Sequence, residues 1–147
     1  MAQLGLCASS AANCPMREAI VLDASAFIDA LTDEGPRGDV LRSVLESTSR
    51  WIVPEFFDLE CIAACQRIPV GPGRDARLAK VVTALGVSLL DRVETWQFVP
   101  RIVQLLPNLT TFDAAYVVTA EAYRVPLLTS DLRLSRAPGP RCEFLVG

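Results

Sequence analysis

Four acidic residues stand where a carboxylate can do chemistry: Asp23, Glu60, Asp113 and Asp131. Asp23 and Asp131 each follow a short apolar run that predicts a buried strand, and open α/β sheets bind their ligands at the carboxyl ends of such strands. Each of these two acids also precedes a helix-compatible segment, so a helix N-cap is the structural alternative. The repetition of strand followed by acid in both halves of the chain favours a shared site.

Glu60 and Asp113 are predicted to lie on helices. On a helical wheel, Glu60 falls between Phe56 and Ala63 on the apolar face, where a charge is costly unless it is protonated, paired or bound to a metal. A buried ion pair, or a helix edge that reaches solvent, explains the position of Glu60 equally well. Asp113 follows Thr110 by three residues, which matches a capping box and is a sufficient structural explanation. The same geometry also holds a carboxylate rigidly in the first turn of a helix.

The residue types available limit the chemistry that these acids can perform. The chain contains no histidine, which excludes Ser-His-Asp and Cys-His catalysis and histidine-containing zinc sites. Carboxylates that meet at one edge raise each other's pKa unless a counter-charge is present. A hard divalent cation such as Mg²⁺ or Mn²⁺ suits this oxygen set and serves phosphate-ester hydrolysis. The hydroxyl groups of Ser25, Thr129 and Ser130 are predicted to orient the acids by hydrogen bonds.

The composition narrows the class of protein. The 147 residues are enough for one domain, and although 51% of them are hydrophobic, no apolar run is long enough to span a membrane. With a net charge of −3, the chain does not attract nucleic acid by overall charge, so phosphate contacts depend on single arginines. The candidates for such contacts are Arg37, Arg42, Arg74, Arg77 and Arg133.

From the first 15 residues and the cysteines we expect a single domain located in the cytoplasm. Residues 1–15 have neither periodicity nor a signal-peptide pattern, so we expect a disordered extension or a start codon assigned upstream of the true one. The domain itself is expected over residues 16–147. Five cysteines without a C-x-x-C pair favour reduced thiols in the cytoplasm.

Hydrophobic patterning predicts alternating strands and helices. Strands are expected near residues 19–22, 51–53, 87–90, 126–129 and 143–146. Among the intervening helices, one is expected to start at Pro54 and another to end at Gly86. The alternation predicts the α/β class, with one three-layer domain in which a mainly parallel sheet of about five strands has helices on both faces.

The segments that carry these acids resemble the PIN domain family, specifically the VapC toxins of bacterial toxin–antitoxin pairs. The matching segments occur in the family's order and approximate spacing, and they are residues 20–26, Glu60, residues 108–117 and residues 127–134. The resemblance implies a PIN-like nuclease domain over residues 16–147. Carried over by position, the catalytic and metal-binding acids are Asp23, Glu60, Asp113 and Asp131.

The resemblance also implies a function. VapC toxins are Mg²⁺-dependent endoribonucleases that cleave cellular RNA (tRNA, rRNA or mRNA), and Mn²⁺ is a possible substitute for Mg²⁺. They are usually homodimers, form larger assemblies with a cognate VapB-like antitoxin, and are inhibited when the C-terminal segment of that antitoxin occupies the toxin groove. The extension before Met16 has no counterpart in the family pattern.

Other functions fit the sequence less well. A catalytically inactive PIN-like interaction module, acting through dimerisation or partner binding, agrees with the high apolar content but leaves the four acids unexplained. A phosphatase of the D-x-D-x-T type needs an acid where Ser25 stands. A receiver domain needs a lysine at the end of a late strand, whereas the only lysine, Lys80, is predicted in the middle of a helix.

Overall fold

Short, fully apolar runs form the centre of a parallel sheet, with helices flanking it. The computed structural model describes residues 16–147. In chain order the elements are β1 (Ile20–Leu22), α1 (Ala24–Thr32), α2 (Pro36–Glu46), β2 (Trp51–Pro54), α3 (Phe57–Gln66), α4 (Pro72–Val87), β3 (Leu90–Val93), a 3₁₀ turn (Trp96–Phe98), α5 (Val99–Leu105), α6 (Thr111–Tyr123), β4 (Leu127–Thr129), α7 (Leu132–Arg136) and β5 (Phe144–Val146).

The strand order creates a crevice beside β1. The five strands run β3-β2-β1-β4-β5, and every neighbouring pair is parallel. Val21 in the middle of β1 is in register with Ile52 of β2 on one side and with Leu127 of β4 on the other. From β1 the chain adds β2 and β3 on one side, and it then adds β4 and β5 on the other side. The order of the strands therefore reverses between β1 and β4, which is the topological switch point of the sheet. The predicted fold class is therefore confirmed.

Burial of α6 fixes the direction of its first turn. All seven residues from Ala114 to Ala120 are buried, and α6 packs against β1, β2 and β4. Among the helices of the first half of the chain, Phe27 of α1 meets Phe57 of α3 edge to face, with ring centroids 5.5 Å apart. A helix anchored along this length holds the residues at its amino end in a constant position, because interiors are packed at crystal-like density.

Two helix boundaries and one strand differ from the predictions. The helix α4 continues through Gly86 to Val87, since a single glycine costs a helix only about 1 kcal/mol. The third strand is Leu90–Val93 rather than residues 87–90. Pro54 ends β2 opposite Val93 instead of starting α3, which begins only at Phe57.

Three of the predicted reduced thiols can be located. Cys61, Cys65 and Cys142 are free cysteines, and the first two are buried. Burial raises the pKa of Cys142 to about 11, and the neighbouring charge of Glu121 adds to this rise. Cys7, Cys14 and the predicted extension over residues 1–15 lie outside the described residues. From Met16 to Gly147 no helix combines the length and the apolar character that a membrane span requires.

Candidate active site

Asp23 lies at the carboxyl end of β1, on the side where the sheet switches direction. The residue is 6% exposed, and it caps α1 by accepting from the backbone N–H of Ser25. Burial raises the pKa of Asp23, the hydroxyl bonds that it accepts oppose the rise, and the charge of Asp113 adds to it. Asp23 therefore caps α1 and also lies at the end of a buried strand, so both predictions made for it hold.

A hydroxyl network fixes the Asp23 carboxylate. Ser25 Oγ and Thr129 Oγ1 each donate to Asp23 Oδ2 at 2.6 Å. Thr129 ends β4, so this bond joins the ends of the two strands that flank the crevice. Ser130 differs from its prediction, because its backbone N–H donates to Ser25 Oγ at 3.2 Å while its hydroxyl has no hydrogen-bond partner among the described residues. Two hydroxyls thus hold Asp23, and the Ser130 amide holds the Ser25 hydroxyl in turn.

Glu60 projects from α3 toward α6. The hydroxyl of Tyr116 donates to Glu60 Oε2 at 2.6 Å, and Tyr116 itself is fully buried. Burial raises the pKa of Glu60, as do the charges of Asp23 and Asp113, whereas the bond from Tyr116 and the charge of Arg67 lower it. The alternative prediction was an ion pair of Glu60. Within the described residues Arg67 forms no salt bridge with Glu60 and acts on its pKa only through its charge.

Asp113 occupies the first turn of α6. Thr110 caps the helix by accepting from the backbone N–H of Asp113 at 3.2 Å, and its hydroxyl donates back to Asp113 Oδ2 at 2.7 Å. The predicted capping pair therefore exists, with a bond between the two side chains in place of the usual bond to the backbone of the cap residue. The cap holds Asp113 where its charge reaches both Asp23 and Glu60.

Asp131 follows β4 and caps α7. Its Oδ1 accepts from the backbone N–H groups of Arg133 and Leu134, at 2.8 and 3.3 Å. Asp131 and Asp113 line a shared cleft of about 170 Å³ between the first turn of α6 and α7. A larger depression of about 450 Å³, lined by Arg124 and Glu143 among others, contains none of the four acids.

The structure brings the predicted acids to one edge of the sheet without closing them around an ion. The charge of Asp113 raises the pKa of Asp23 and of Glu60, and the charge of Asp23 also raises that of Glu60. Asp113 shares the cleft with Asp131. As arranged here, no three acidic or cysteine side chains within residues 16–147 are close enough to hold a metal ion. The three mutually repelling carboxylates nevertheless form an all-oxygen donor set, which is the set that a hard divalent cation binds.

The arginines predicted to contact phosphate have different surroundings. Arg42 donates to the carbonyl oxygens of Ala30 and Asp33, so its guanidinium supports the turn after α1. Arg37 donates to the carbonyl oxygen of Ser130 at 2.7 Å, which ties α2 to the loop that carries Asp131. The side chain of Arg133 is 87% exposed and lies 3.5 Å from Asp131. Arg133 alone of these three has its guanidinium largely free at the cleft.

Sequence reasoning missed Tyr116. The residue belongs to the fully buried stretch of α6, so its apolar surroundings indicate a core tyrosine and nothing more. Its spacing of three residues from Asp113 was the available signal, because residues three apart share one face of a helix. A buried tyrosine hydroxyl also needs a partner, and Glu60, 56 residues away in the chain, supplies it.

Solved structures share this fold. VapC20 of Mycobacterium tuberculosis, described as a sarcin–ricin loop cleaving toxin, superposes with a TM-score of 0.61 at 13% identity, covering 80% of this chain and 93% of VapC20. A toxin–antitoxin complex from Klebsiella pneumoniae gives a TM-score of 0.56 at 16% identity, over 76% of this chain and 86% of the other. At these identities the likeness concerns the fold alone.

Curated sequences give a closer relationship. Ribonuclease VapC1 of Mycobacterium tuberculosis is 38% identical over 129 residues, covering 84% of this chain and 94% of VapC1. Ribonuclease VapC12 of the same species is 34% identical over 128 residues, covering 85% and 96%. The sequence profile of the PIN domain matches residues 20–140, a span that includes all four acids. The chain therefore belongs to the PIN domain family, among its VapC ribonucleases.

Proposed function

We propose that this protein is a Mg²⁺-dependent endoribonuclease toxin that hydrolyses phosphodiester bonds of cellular RNA. The observation that carries the proposal is the position of Asp23, a buried carboxylate at the switch point of the sheet whose pKa is raised by burial and by Asp113. Keeping a carboxylate in such surroundings is costly unless a function uses it. Ribonucleases VapC1 and VapC12, which are 38% and 34% identical to this chain over most of its length, support the same activity.

The donor set supports a divalent cation. PIN-domain ribonucleases generally depend on a divalent metal, and in this chain Asp23, Glu60, Asp113 and Asp131 would hold it, with Mn²⁺ able to replace Mg²⁺. When bound, the cation supplies an activated water and neutralises the charge that develops on the phosphate. Since the described side chains do not yet converge, binding has to draw them together.

The chain's own residues contribute orientation. Ser25 and Thr129 hold one oxygen of Asp23 and leave the other, Oδ1, with a single weak backbone contact at 3.5 Å. Tyr116 occupies one oxygen of Glu60. Each acid therefore has one oxygen held by a short hydrogen bond and one oxygen without a strong partner. The held oxygens limit how far each carboxylate has to reorient when the cation binds, which lowers the cost of organising the site.

Two variants test the proposal against a matched control. Asp23→Asn and Asp113→Asn should each lower Mg²⁺-dependent cleavage of RNA by about 100-fold or more, because each removes a charge from the metal site. Asp75→Asn makes the same change at an exposed position in the first turn of α4 and should cleave like the wild type. Undiminished cleavage in both site variants, with circular dichroism spectra like the wild type, would refute the assignment.

An inactive interaction module is the second candidate function, and a specific observation favours it. Asp23 and Asp131 both serve as helix caps, and no three acids of the described chain enclose an ion. If this candidate is right, wild-type protein freed of antitoxin cleaves no RNA in a panel of transfer, ribosomal and messenger transcripts, at any Mg²⁺ or Mn²⁺ concentration tested.

We propose a VapB-like antitoxin as the protein partner. An apolar cleft of about 220 Å³ opens between α1, α2 and β2, where Phe27, Leu31 and Trp51 meet Arg42 and Glu46. Apolar walls with charged margins suit an amphipathic segment of a partner chain. Leu31→Glu should abolish co-purification with the antitoxin while leaving RNA cleavage intact. Unchanged co-purification would place the antitoxin elsewhere.

We also propose a homodimer, which becomes a larger assembly when antitoxin binds. Trp96, Val99, Val103 and Leu106 form a stripe that is 42–69% exposed along the 3₁₀ turn and α5. Their spacing places them on one helical face, and a second copy of the chain can cover it. Val103→Glu should convert a dimer to a monomer in sedimentation velocity.

The free thiols of Cys61 and Cys65 are consistent with the reducing cytoplasm, where we place the protein.

A further inference from the structure

An exposed aromatic residue directly precedes one of the proposed catalytic acids in the chain. Phe112 precedes Asp113 in the first turn of α6 and is 54% exposed. Exposed apolar residues are common on protein surfaces and most have no function. Phe112 differs from a scattered surface residue because neighbouring rings hold its ring in place and because Asp113 lies in the same first turn of α6.

Phe112 is the outer member of a row of three aromatic rings. Its centroid lies 4.9 Å from that of Phe56, and the Phe56 ring meets the Tyr116 ring edge to face at 5.6 Å. Tyr116 is fully buried. The row therefore runs from the core to solvent, and its inner rings restrict the orientation of the outer one. A ring supported in this way loses little conformational entropy when a ligand stacks on it.

The same row leads to the acids. Tyr116 lies four residues after Phe112, so the two side chains share one face of α6 about one turn apart. The hydroxyl of Tyr116 bonds to Glu60, and Asp113 follows Phe112 directly in the chain. Consecutive Cα atoms are about 3.8 Å apart, so a nucleoside that flanks a phosphate held at Asp113 is within reach of the Phe112 ring.

Charge supplies little affinity for RNA at this edge. The protein carries a net charge of −3, and the acids themselves repel phosphate. Arg133 is the exposed cation at the cleft, and Asp131 already lies 3.5 Å from its guanidinium. Stacking of a base on an aromatic ring needs no charge and is open to any unpaired base.

We propose that Phe112 is a stacking platform for an unpaired nucleobase next to the scissile phosphate. The proposal rests on the ribonuclease function above and deepens it, because it makes the preferred substrate an RNA whose bases are splayed out at the cleavage point. Base-paired RNA cannot present a free base face to Phe112, so a loop or single strand is selected.

Substitution of Phe112 tests the platform against matched variants. Phe112→Leu keeps an apolar side chain against Phe56 but removes the flat ring, and it should raise KM for a single-stranded RNA by about fivefold or more with kcat nearly unchanged. Phe112→Trp should restore KM. Tyr123→Leu makes the same aromatic-to-leucine change at the other end of α6, about 16 Å away along the helix axis, and should leave KM at the wild-type value.

A fluorescent base identifies the stacked nucleotide. RNA oligonucleotides carrying 2-aminopurine at successive positions are mixed with protein in Ca²⁺, and quenching should appear only beside the mapped cleavage point. Phe112→Leu should lose this quenching and Phe112→Trp should keep it. Equal KM and equal quenching in wild type and Phe112→Leu would overturn the proposal, as would a KM effect accompanied by loss of the dimer in sedimentation velocity.

The outcomes separate this proposal from the function on which it rests. Wild-type protein that cleaves RNA while Phe112→Leu behaves identically refutes the platform and leaves the ribonuclease in place. Wild-type protein that quenches 2-aminopurine through Phe112 but never cleaves refutes the ribonuclease and leaves Phe112 as a base-stacking residue of an RNA-binding module. Absence of both cleavage and quenching refutes both.

Discussion

The bond from Tyr116 to Glu60 makes a prediction whose size follows from the structure. Tyr116→Phe removes one hydroxyl and leaves the buried ring in place. The lost bond spans 2.6 Å and its acceptor is a carboxylate, so its removal should lower the free energy of unfolding by about 1 to 2 kcal/mol. For a chain of this length that corresponds to a fall in Tm of about 3 to 8 °C.

The same substitution should weaken metal binding more than it weakens the fold. The Tyr116 bond lowers the pKa of Glu60, so its loss raises that pKa further and protonates Glu60 at higher pH. A protonated carboxyl is a poor ligand, and partners that orient metal ligands typically account for about 10- to 100-fold in affinity. Mn²⁺ affinity should fall by that factor, and the acidic limb of the pH–rate profile should move to higher pH.

Calorimetric titration with Mn²⁺ at pH 6 and pH 8 measures this effect directly. The difference in affinity between Tyr116→Phe and wild type should be larger at pH 6, where more of Glu60 is protonated in the variant. Tyr123→Phe is the matched control, because it removes a hydroxyl from a half-exposed tyrosine at the other end of α6. If Tyr116→Phe binds Mn²⁺ as tightly as Tyr123→Phe at both pH values, the role assigned to Tyr116 is wrong.

Three further outcomes are expected. Burial holds the pKa of Asp23 above its unfolded value of 3.8. The stability of the wild type therefore falls as pH rises through the raised pKa, because the buried carboxylate then becomes charged. Metal-free Asp23→Asn carries no such charge, so its Tm should exceed that of the wild type by a margin that grows from pH 4 to pH 8. Mg²⁺ should raise the Tm of wild type and not that of Asp23→Asn. Arg101→Ala should lower the free energy of unfolding by about 2 kcal/mol, measured by urea titration, because it leaves the largely buried Glu121 carboxylate without its two-bond partner.

The sequence predicted the central sheet well and its edge less well. β1 and β4 are continuous apolar runs that are buried on both faces, which is the pattern of a central parallel strand. The edge strand β3 contains Asp91 and Arg92 instead, and these two residues form ion pairs with Arg50 and Asp58. Charged residues of this kind are common on edge strands. They hide the strand from a hydrophobicity pattern, whereas the apolar Val87 and Leu89 nearby are exposed.

The site could be predicted in part for a related reason. Strand ends and helix faces are local features, so Asp23, Asp131 and Glu60 were found by inspection of their own segments. The contact between Tyr116 and Glu60 left no such local signal, because it joins a core residue of α6 to an acid 56 positions earlier in the chain. The sequence could not separate capping from ligand binding at Asp23 either. The Asp23 carboxylate caps α1, and the same position at the end of β1 is where open α/β sheets bind ligands.

The central claim is that these acids close around a divalent cation. An anomalous difference map from a crystal of the wild-type protein soaked in Mn²⁺ tests it in one measurement. We predict a single strong peak or a close pair at the crevice between β1 and β4, with oxygens of Asp23 and Asp113 as direct ligands and Glu60 and Asp131 around them. Ordered acids with no peak between them, at millimolar Mn²⁺, would contradict the claim.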